Sequence, residues 1–144
     1  MYSRKFFRKL GIDLVKKYKK HIWDTSEDVY SKKFKTYKSK EYADLKNAGK
    51  LKRQSAESRG KLSPIVTGDF KNDFKLLKSS SSGFKLGWAS HGSKVKWLAK
   101  KGRVVTDDKQ PLPKKLLRMI DNEVKRETER QLPKDQVIRI NIGR

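Results

Sequence analysis

An excess of positive charge runs through this sequence. The 144 residues include 38 Lys and Arg against 16 Asp and Glu, which gives a formal net charge of +22. Self-repulsion of this size works against a compact state, and only 34% of the residues are hydrophobic. However, 10% of the residues are aromatic and three residues are Trp, so enough large apolar side chains are present to form a modest core. We therefore expect residues 1–144 to form one small domain with basic extensions.

The charge is distributed unevenly along the chain. Residues 1–60 hold 18 basic and 7 acidic residues, a net charge of +11. Residues 61–110 carry a net charge of +7, and residues 111–144 carry +4. A field of this sign indicates a polyanion nearby, either nucleic acid or an acidic protein surface, and it does not distinguish between them.

Composition and patterning exclude several classes of protein. No apolar run approaches the roughly 18 residues of a membrane-spanning helix, so we expect no membrane partner. The basic start is followed by Leu10–Val15, but Asp13 interrupts this stretch and makes it too short for a signal-peptide core. The absence of Cys excludes disulfides, thiolate zinc sites, iron–sulfur clusters and cysteine nucleophiles. Synthesis in a cytoplasm is compatible with these features.

Apolar residues at three- and four-residue steps predict an amphipathic helix near the start of the chain. We expect this helix to end within residues 24–28, and the residues that follow, to about 37, show no clear period. A short helix is predicted over Glu41–Leu51, with its end at Gly49. The apolar stripe of the first helix consists of Phe7, Leu10, Leu14, Tyr18 and Ile22.

The centre of the sequence predicts a β-hairpin. Residues 70–77 fit a helix or a strand, and the serines of Ser79–Ser82 with Gly83 are typical of a hairpin loop. Beyond the loop, apolar and other residues alternate as in a strand. The alternating apolar residues are Phe84, Leu86 and Trp88.

Two helices and a strand are predicted for the remainder. Ser93–Lys101 fits a short helix ending at Gly102, and a longer helix is expected after Pro113, ending near Gln131. Ile138, Ile140 and Ile142 then alternate with polar residues and predict a final strand. The sequence therefore predicts an α+β fold, with an N-terminal amphipathic helix, a small antiparallel sheet containing a hairpin, a C-terminal helix and a final strand.

A basic segment lies between the predicted elements. Residues 50–61 are almost entirely polar, and Gly60 lies near their end. We expect a flexible, exposed basic loop or arm. Its candidate interaction residues are Lys50, Lys52, Arg53 and Arg59.

The residue types that carry catalysis and metal binding are sparse. His21 and His91 lack further ligands at a suitable spacing, so we expect no metal site and no cofactor. Asp69 and Asp73 lie one helical turn apart, but a lone carboxylate pair is more typical of capping and of a solvated surface than of acid–base chemistry. We expect no catalytic residues and no enzymatic activity.

Lysines and aromatic residues interleave in two stretches, residues 30–38 and residues 94–103. One interpretation is a nucleic-acid surface, in which cations contact phosphates and rings stack on bases. The other is that the aromatic rings pack in the core while the lysines face solvent. The sequence leaves both interpretations open.

The segment Asp28–Trp88 carries an ordered set of motifs. A first motif block is Lys32, Phe34, Tyr37 and Tyr42; a second is Thr67, Gly68, Asp69 and Phe70; and Gly87 with Trp88 ends the predicted hairpin. In this order, between an early helix and a C-terminal helix, the set resembles the virion-morphogenesis proteins of tailed bacteriophages, which complete the tail or form the head–tail neck. Three positions depart from the family pattern: Ser31 replaces a frequent Gly, Tyr42 falls one residue late, and Phe70 replaces an aliphatic residue.

The resemblance implies a structural virion protein that joins head to tail. It implies self-assembly into a ring of about six or twelve copies around the DNA channel, beside portal, connector or tail-tube proteins. DNA in the channel is a further partner compatible with the charge. The alternative hypothesis is a basic nucleic-acid-binding protein, for example one associated with the ribosome.

Overall fold

The computed structural model describes residues 2–132, and the fold begins with a long helix. Helix α1 spans Arg4–Lys19, and the Ser3 hydroxyl caps it by accepting a hydrogen bond of 3.0 Å from the Phe6 amide. The lysines of its last turn lie at the negative end of the helix dipole. The predicted apolar stripe is confirmed: its five side chains are buried.

A π-helical turn, Lys20–Asp24, extends α1. In this wider turn the Thr25 amide donates to the Lys20 carbonyl five residues earlier, at 2.9 Å. Three consecutive side chains, His21, Ile22 and Trp23, are fully buried there. A regular amphipathic helix on a surface does not bury three successive residues, so the turn adds Trp23 to the core.

The predicted hairpin is confirmed. A short helix α3, Asp69–Asp73, runs directly into strand β1, Phe74–Ser79, and strand β2, Phe84–Trp88, returns antiparallel to it. Residues 70–77, which fitted either element, are therefore divided between a helix and a strand. The pairing runs from Phe74 opposite Trp88 to Ser79 opposite Phe84, with an irregularity between Leu76 and Lys78.

The hairpin packs closely against α1. Gly11 lies at the contact, where a Cβ atom would come within 2.8 Å of Leu76 Cδ1. Because Gly has no side chain, the helix and the sheet approach each other closely at this point.

The remaining helices lie close to their predicted positions. Helix α2 spans Lys40–Ala48 and ends at Gly49, whose φ of 72° closes it in the left-handed conformation. A short 3₁₀ turn, Ala56–Ser58, follows. Helix α4 spans Ser93–Lys100, and helix α5 spans Lys114–Gln131 directly after Pro113.

The α+β fold class is confirmed, with helices at both ends of the described chain around a two-stranded antiparallel sheet. The predicted final strand at Ile138, Ile140 and Ile142 lies outside the described residues. Within residues 2–132, no helix combines the length and the apolarity needed to cross a membrane.

Candidate interaction surfaces

The first motif block contributes mainly to the interior. Phe34 is only 4% exposed and belongs to the core. Lys32 is exposed. Its backbone amide and that of Tyr30 both donate to the Asp28 carboxylate at 2.9 Å. The Asp28 side chain therefore organises this irregular segment, as Asp does in many turns.

Tyr37 and Tyr42 form part of a cluster with two buried cations, which we call the cationic cluster (Tyr37, Tyr42, Lys46 and Arg103). The two tyrosine rings meet edge to face, 4.8 Å apart. The Arg103 guanidinium carbon lies 4.1 Å from the centre of the Tyr37 ring. Lys46 donates to the Tyr37 hydroxyl at 2.6 Å and to the Ser63 carbonyl at 2.9 Å. Aromatic faces and neutral oxygens stabilise the two cations here.

Arg103 also connects distant parts of the chain. Its Nε donates to the Leu62 carbonyl at 3.1 Å, and its Nη2 donates to the Lys35 carbonyl at 2.9 Å. The planar fork of the guanidinium allows one side chain to reach two carbonyls at once. Arg103 belongs to the second interleaved stretch of lysines and aromatic residues, but the structure buries it in the fold.

Burial lowers the pKa of Lys46 to about 8, and repulsion from Arg103 and Lys61 adds to the effect. In the unfolded chain this lysine keeps its proton up to about pH 10. Between these values the unfolded state binds more protons than the folded state, so the free energy of unfolding should rise with pH, by at most about 1.4 kcal/mol per pH unit.

Urea unfolding at about pH 7.5 and about pH 9.5 measures this rise. We expect Lys46→Met to reduce it, while Lys125→Met, at an exposed position on α5, leaves it as in the parent chain. An equal rise in all three proteins would show that Lys46 is not the group responsible. Below the folded pKa of about 8, the cost of burying the charged lysine is constant and adds no slope.

The second motif block forms the joint between α3 and the hairpin. Gly68 has a φ of 90° and precedes α3, and its carbonyl accepts from the Asn72 amide at 2.9 Å. The Phe70 ring stacks on Trp88 with centres 4.9 Å apart and planes 6° from parallel. Trp88 Nε1 also donates to the Phe70 carbonyl at 3.0 Å. These motif residues build the fold, because they fix the hairpin to the helix that precedes it.

The second block also includes Thr67 and Asp69. The Thr67 hydroxyl accepts a hydrogen bond from the Asp69 amide at 3.2 Å, while the Asp69 side chain is exposed. Asp73 accepts from the Ser90 and His91 amides, both at 2.8 Å, and these bonds lower its pKa. Asp73 thus holds the loop that follows β2. Within residues 2–132, no cluster of three or more His, Asp or Glu side chains is arranged to hold a metal.

The basic segment, residues 50–61, makes more contacts than the sequence analysis expected. The Ser55 amide donates to the Val66 carbonyl at 2.7 Å, and Ser58 is fully buried. Arg59 Nη2 donates to the Ala48 carbonyl at 2.8 Å and so closes the end of α2. Arg59 therefore supports the fold. The other interaction candidates of the segment, Lys50, Lys52 and Arg53, are exposed, as Arg59 is.

Helix α4 presents a basic surface with one large aromatic side chain. Trp97 is 58% exposed, and the Lys101 ammonium lies 5.7 Å from the centre of one of its rings. The next residue, Leu98, is buried and belongs to the core. The sequence from Phe74 to Thr106 contains eight Lys and Arg and no Asp or Glu. The two interleaved stretches thus differ: Phe34 in the first is core, whereas Trp97 in the second faces solvent.

A groove between α1 and β1 was missed by the sequence analysis. One wall comes from successive turns of α1 and the other from the length of β1. A helix pattern and a strand pattern were each visible, but neither shows that the two elements lie side by side. The lining residues are Arg4, Arg8, Ile12, Val15, Lys16, Lys75, Leu76, Leu77, Lys78 and Ser79.

Comparisons with protein-family models, with curated proteins and with solved structures find no match to this chain. The functional interpretation therefore depends on the motif order and on the surfaces described above.

Proposed function

We propose that this chain is a structural protein of a tailed-bacteriophage virion, located at the head–tail neck or in the tail-completion region. It acts by assembling with other proteins and has no catalytic role. The observation that carries the proposal is the ordered set of motifs between residues 28 and 88, flanked by a helix on each side.

The positions of the motif residues support this proposal. Phe34, Phe70 and Trp88 pack in or against the core, and Gly68 adopts the left-handed conformation before α3. A resemblance carried by such positions is a resemblance of fold, because these residues pack in the core or fix the hairpin to α3. Surface residues alone would carry a weaker argument.

The charge supports a location beside acidic partners. A net charge of +22 on one small chain would be multiplied around a ring of about six or twelve copies. Such a ring needs neutralisation by DNA in its channel or by acidic surfaces of portal, connector or tail-tube proteins. Self-association alone would increase the repulsion.

The basic segment provides a test. We expect the combined variant Lys50→Gln, Lys52→Gln and Arg53→Gln to fold normally, because these side chains are exposed, but to lower the yield of joined particles by about tenfold or more. Arg59 stays unchanged because it closes α2. The assay is electron microscopy of lysates in which the source phage lacks its own copy and the variant is supplied in trans.

The matched control removes three exposed cations elsewhere, with Lys114→Gln, Lys115→Gln and Arg118→Gln on α5. A lysate that contains no copy of this chain should accumulate separate heads and tails. Joined particles at the parental yield without any copy of this chain would contradict the proposed function. Equal yields from the basic-segment variant and the control would contradict only the role of the segment.

A nucleic-acid-binding protein, for example one associated with the ribosome, is the second candidate, and Trp97 is the observation that favours it. Its exposed ring between lysines is suited to stacking on an unpaired base. This candidate requires tight binding of RNA by the isolated chain, with an affinity that falls steeply with salt and is weakened by Trp97→Ala.

A further inference from the structure

Within residues 2–132, the outer edge of β1 is open for pairing along the α1–β1 groove. β1 pairs with β2 on one side, and the sheet has two strands within residues 2–132. In that described part of the chain, the backbone of residues 75–79 makes no hydrogen bond outside the pairing with β2. An edge strand with free amides and carbonyls is a template for another extended segment.

The groove combines apolar side chains with positive charge. Ile12 is 38% exposed and Leu77 is 40% exposed, although large apolar side chains are usually covered. Five of the ten lining residues are Lys or Arg, and none is Asp or Glu. The cationic residues lie on both walls of the groove: Arg4, Arg8 and Lys16 on α1, and Lys75 and Lys78 on β1.

The dimensions fit a short strand. From Arg4 to Lys16 the α1 wall is about 18 Å long at 1.5 Å per residue. The β1 wall from Lys75 to Ser79 spans about 13 Å at 3.3 Å per residue. These lengths match an extended segment of about five or six residues.

The positive charge of the groove distinguishes between its possible binding partners. A second copy paired through the same edge would place Lys75 and Lys78 against lysines of its neighbour, which is unfavourable. A nucleic acid would find cations, but none of the ten described lining residues is aromatic, and the apolar side chains would lie against phosphates and sugars. A protein strand with alternating acidic and apolar residues satisfies the open edge, the lysines and the apolar floor together.

We propose that the groove between α1 and β1 binds an extended, acidic segment of another protein, which adds to the sheet as a third strand beside β1. Leu76 faces α1, on the same side of the sheet as Ile12, whereas Lys75 and Lys78 lie on the other face of the sheet. The apolar residues of that segment therefore cover Ile12 and Leu76, and its carboxylates, on the opposite face, pair with Lys75 and Lys78. The groove lies within a single chain, so this binding does not depend on membership of a virion neck.

The test uses the full-length ¹⁵N-labelled chain and a capped peptide of alternating Glu and Val. In the free chain, we expect the β1 amides that point away from β2 to exchange rapidly with solvent. When the peptide is added, those amides should become protected from exchange with solvent. The largest changes in amide chemical shift should fall on residues of α1 and β1. A Lys–Val peptide should not bind.

Charge reversal locates the site. Lys75→Glu with Lys78→Glu should weaken binding of the Glu–Val peptide by about tenfold or more, which is at least about 1.4 kcal/mol. Lys94→Glu with Lys96→Glu on α4 makes the same change in net charge and should alter binding less than about twofold. Urea midpoints verify that both variants fold.

Three results would overturn the proposal. The first is protection of the outer β1 amides in the free chain, which would mean that the edge is already covered. The second is binding of polyglutamate as tight as that of the Glu–Val peptide, without protection of the β1 amides, which would show that binding depends on net charge alone. The third is tighter binding of a short DNA duplex to the same groove.

Discussion

Trp23→Ala should lower the free energy of unfolding by about 3–5 kcal/mol, a large part of the stability of a domain this size. The indole is fully buried and meets Tyr18 and Phe70 edge to face, with ring centres 6.0 and 5.9 Å away. Its Nε1 donates to the Pro64 carbonyl at 3.2 Å. Truncation therefore leaves a cavity and an unpaired buried carbonyl. Urea unfolding followed by circular dichroism measures the change.

Trp97→Ala is the matched control, because it deletes the same side chain from an exposed position. Its expected effect on stability is within about 0.5 kcal/mol. Similar losses in the two variants would contradict the placement of Trp23 at the centre of the core.

Arg103→Lys should cost about 2–3 kcal/mol of unfolding free energy. A lysine ammonium cannot reproduce the fork that reaches the Leu62 and Lys35 carbonyls while lying over the Tyr37 ring. The charge of the side chain is unchanged by this substitution. A loss of unfolding free energy would therefore come from the geometry of the contacts and not from the net charge.

Arg118→Lys on α5 provides the comparison, since Arg118 is exposed. We expect a change within about 0.5 kcal/mol for it, measured by the same urea titration. An Arg103→Lys protein as stable as the parent would show that the net charge alone matters at this position.

The parts of the fold that could be predicted are those with a local signal. The stripe from Phe7 to Ile22 has the helical period, and the serines before Gly83 mark a hairpin loop between apolar segments. Gly49 was recognised as a helix end, and its positive φ is the physical reason.

The parts that could not be predicted depend on distant contacts. Trp23 is off the regular stripe, and only the π-helical turn brings it inside. Lys46 and Arg103 are of residue types that usually face solvent. Their hydrogen-bond partners include carbonyls from remote segments of the chain. The groove beside β1 likewise exists only because the hairpin packs on α1.

The resemblance and the structure contribute different things to the functional account. Residues that carry the resemblance, such as Gly68 and Trp88, have positions in the fold that explain why they are needed. The surfaces available to partners are instead the exposed cations of residues 50–53, helix α4 around Trp97 and the groove along β1. The family motifs do not specify these surfaces.

The most direct test of the proposed assembly role is quantitative mass spectrometry of particles separated by density from the source lysate. The account predicts that this chain sediments with portal and tail proteins at about six or twelve copies per particle. Its recovery with ribosomes or free nucleic acid, and its absence from particles, would contradict the account and favour the nucleic-acid-binding alternative.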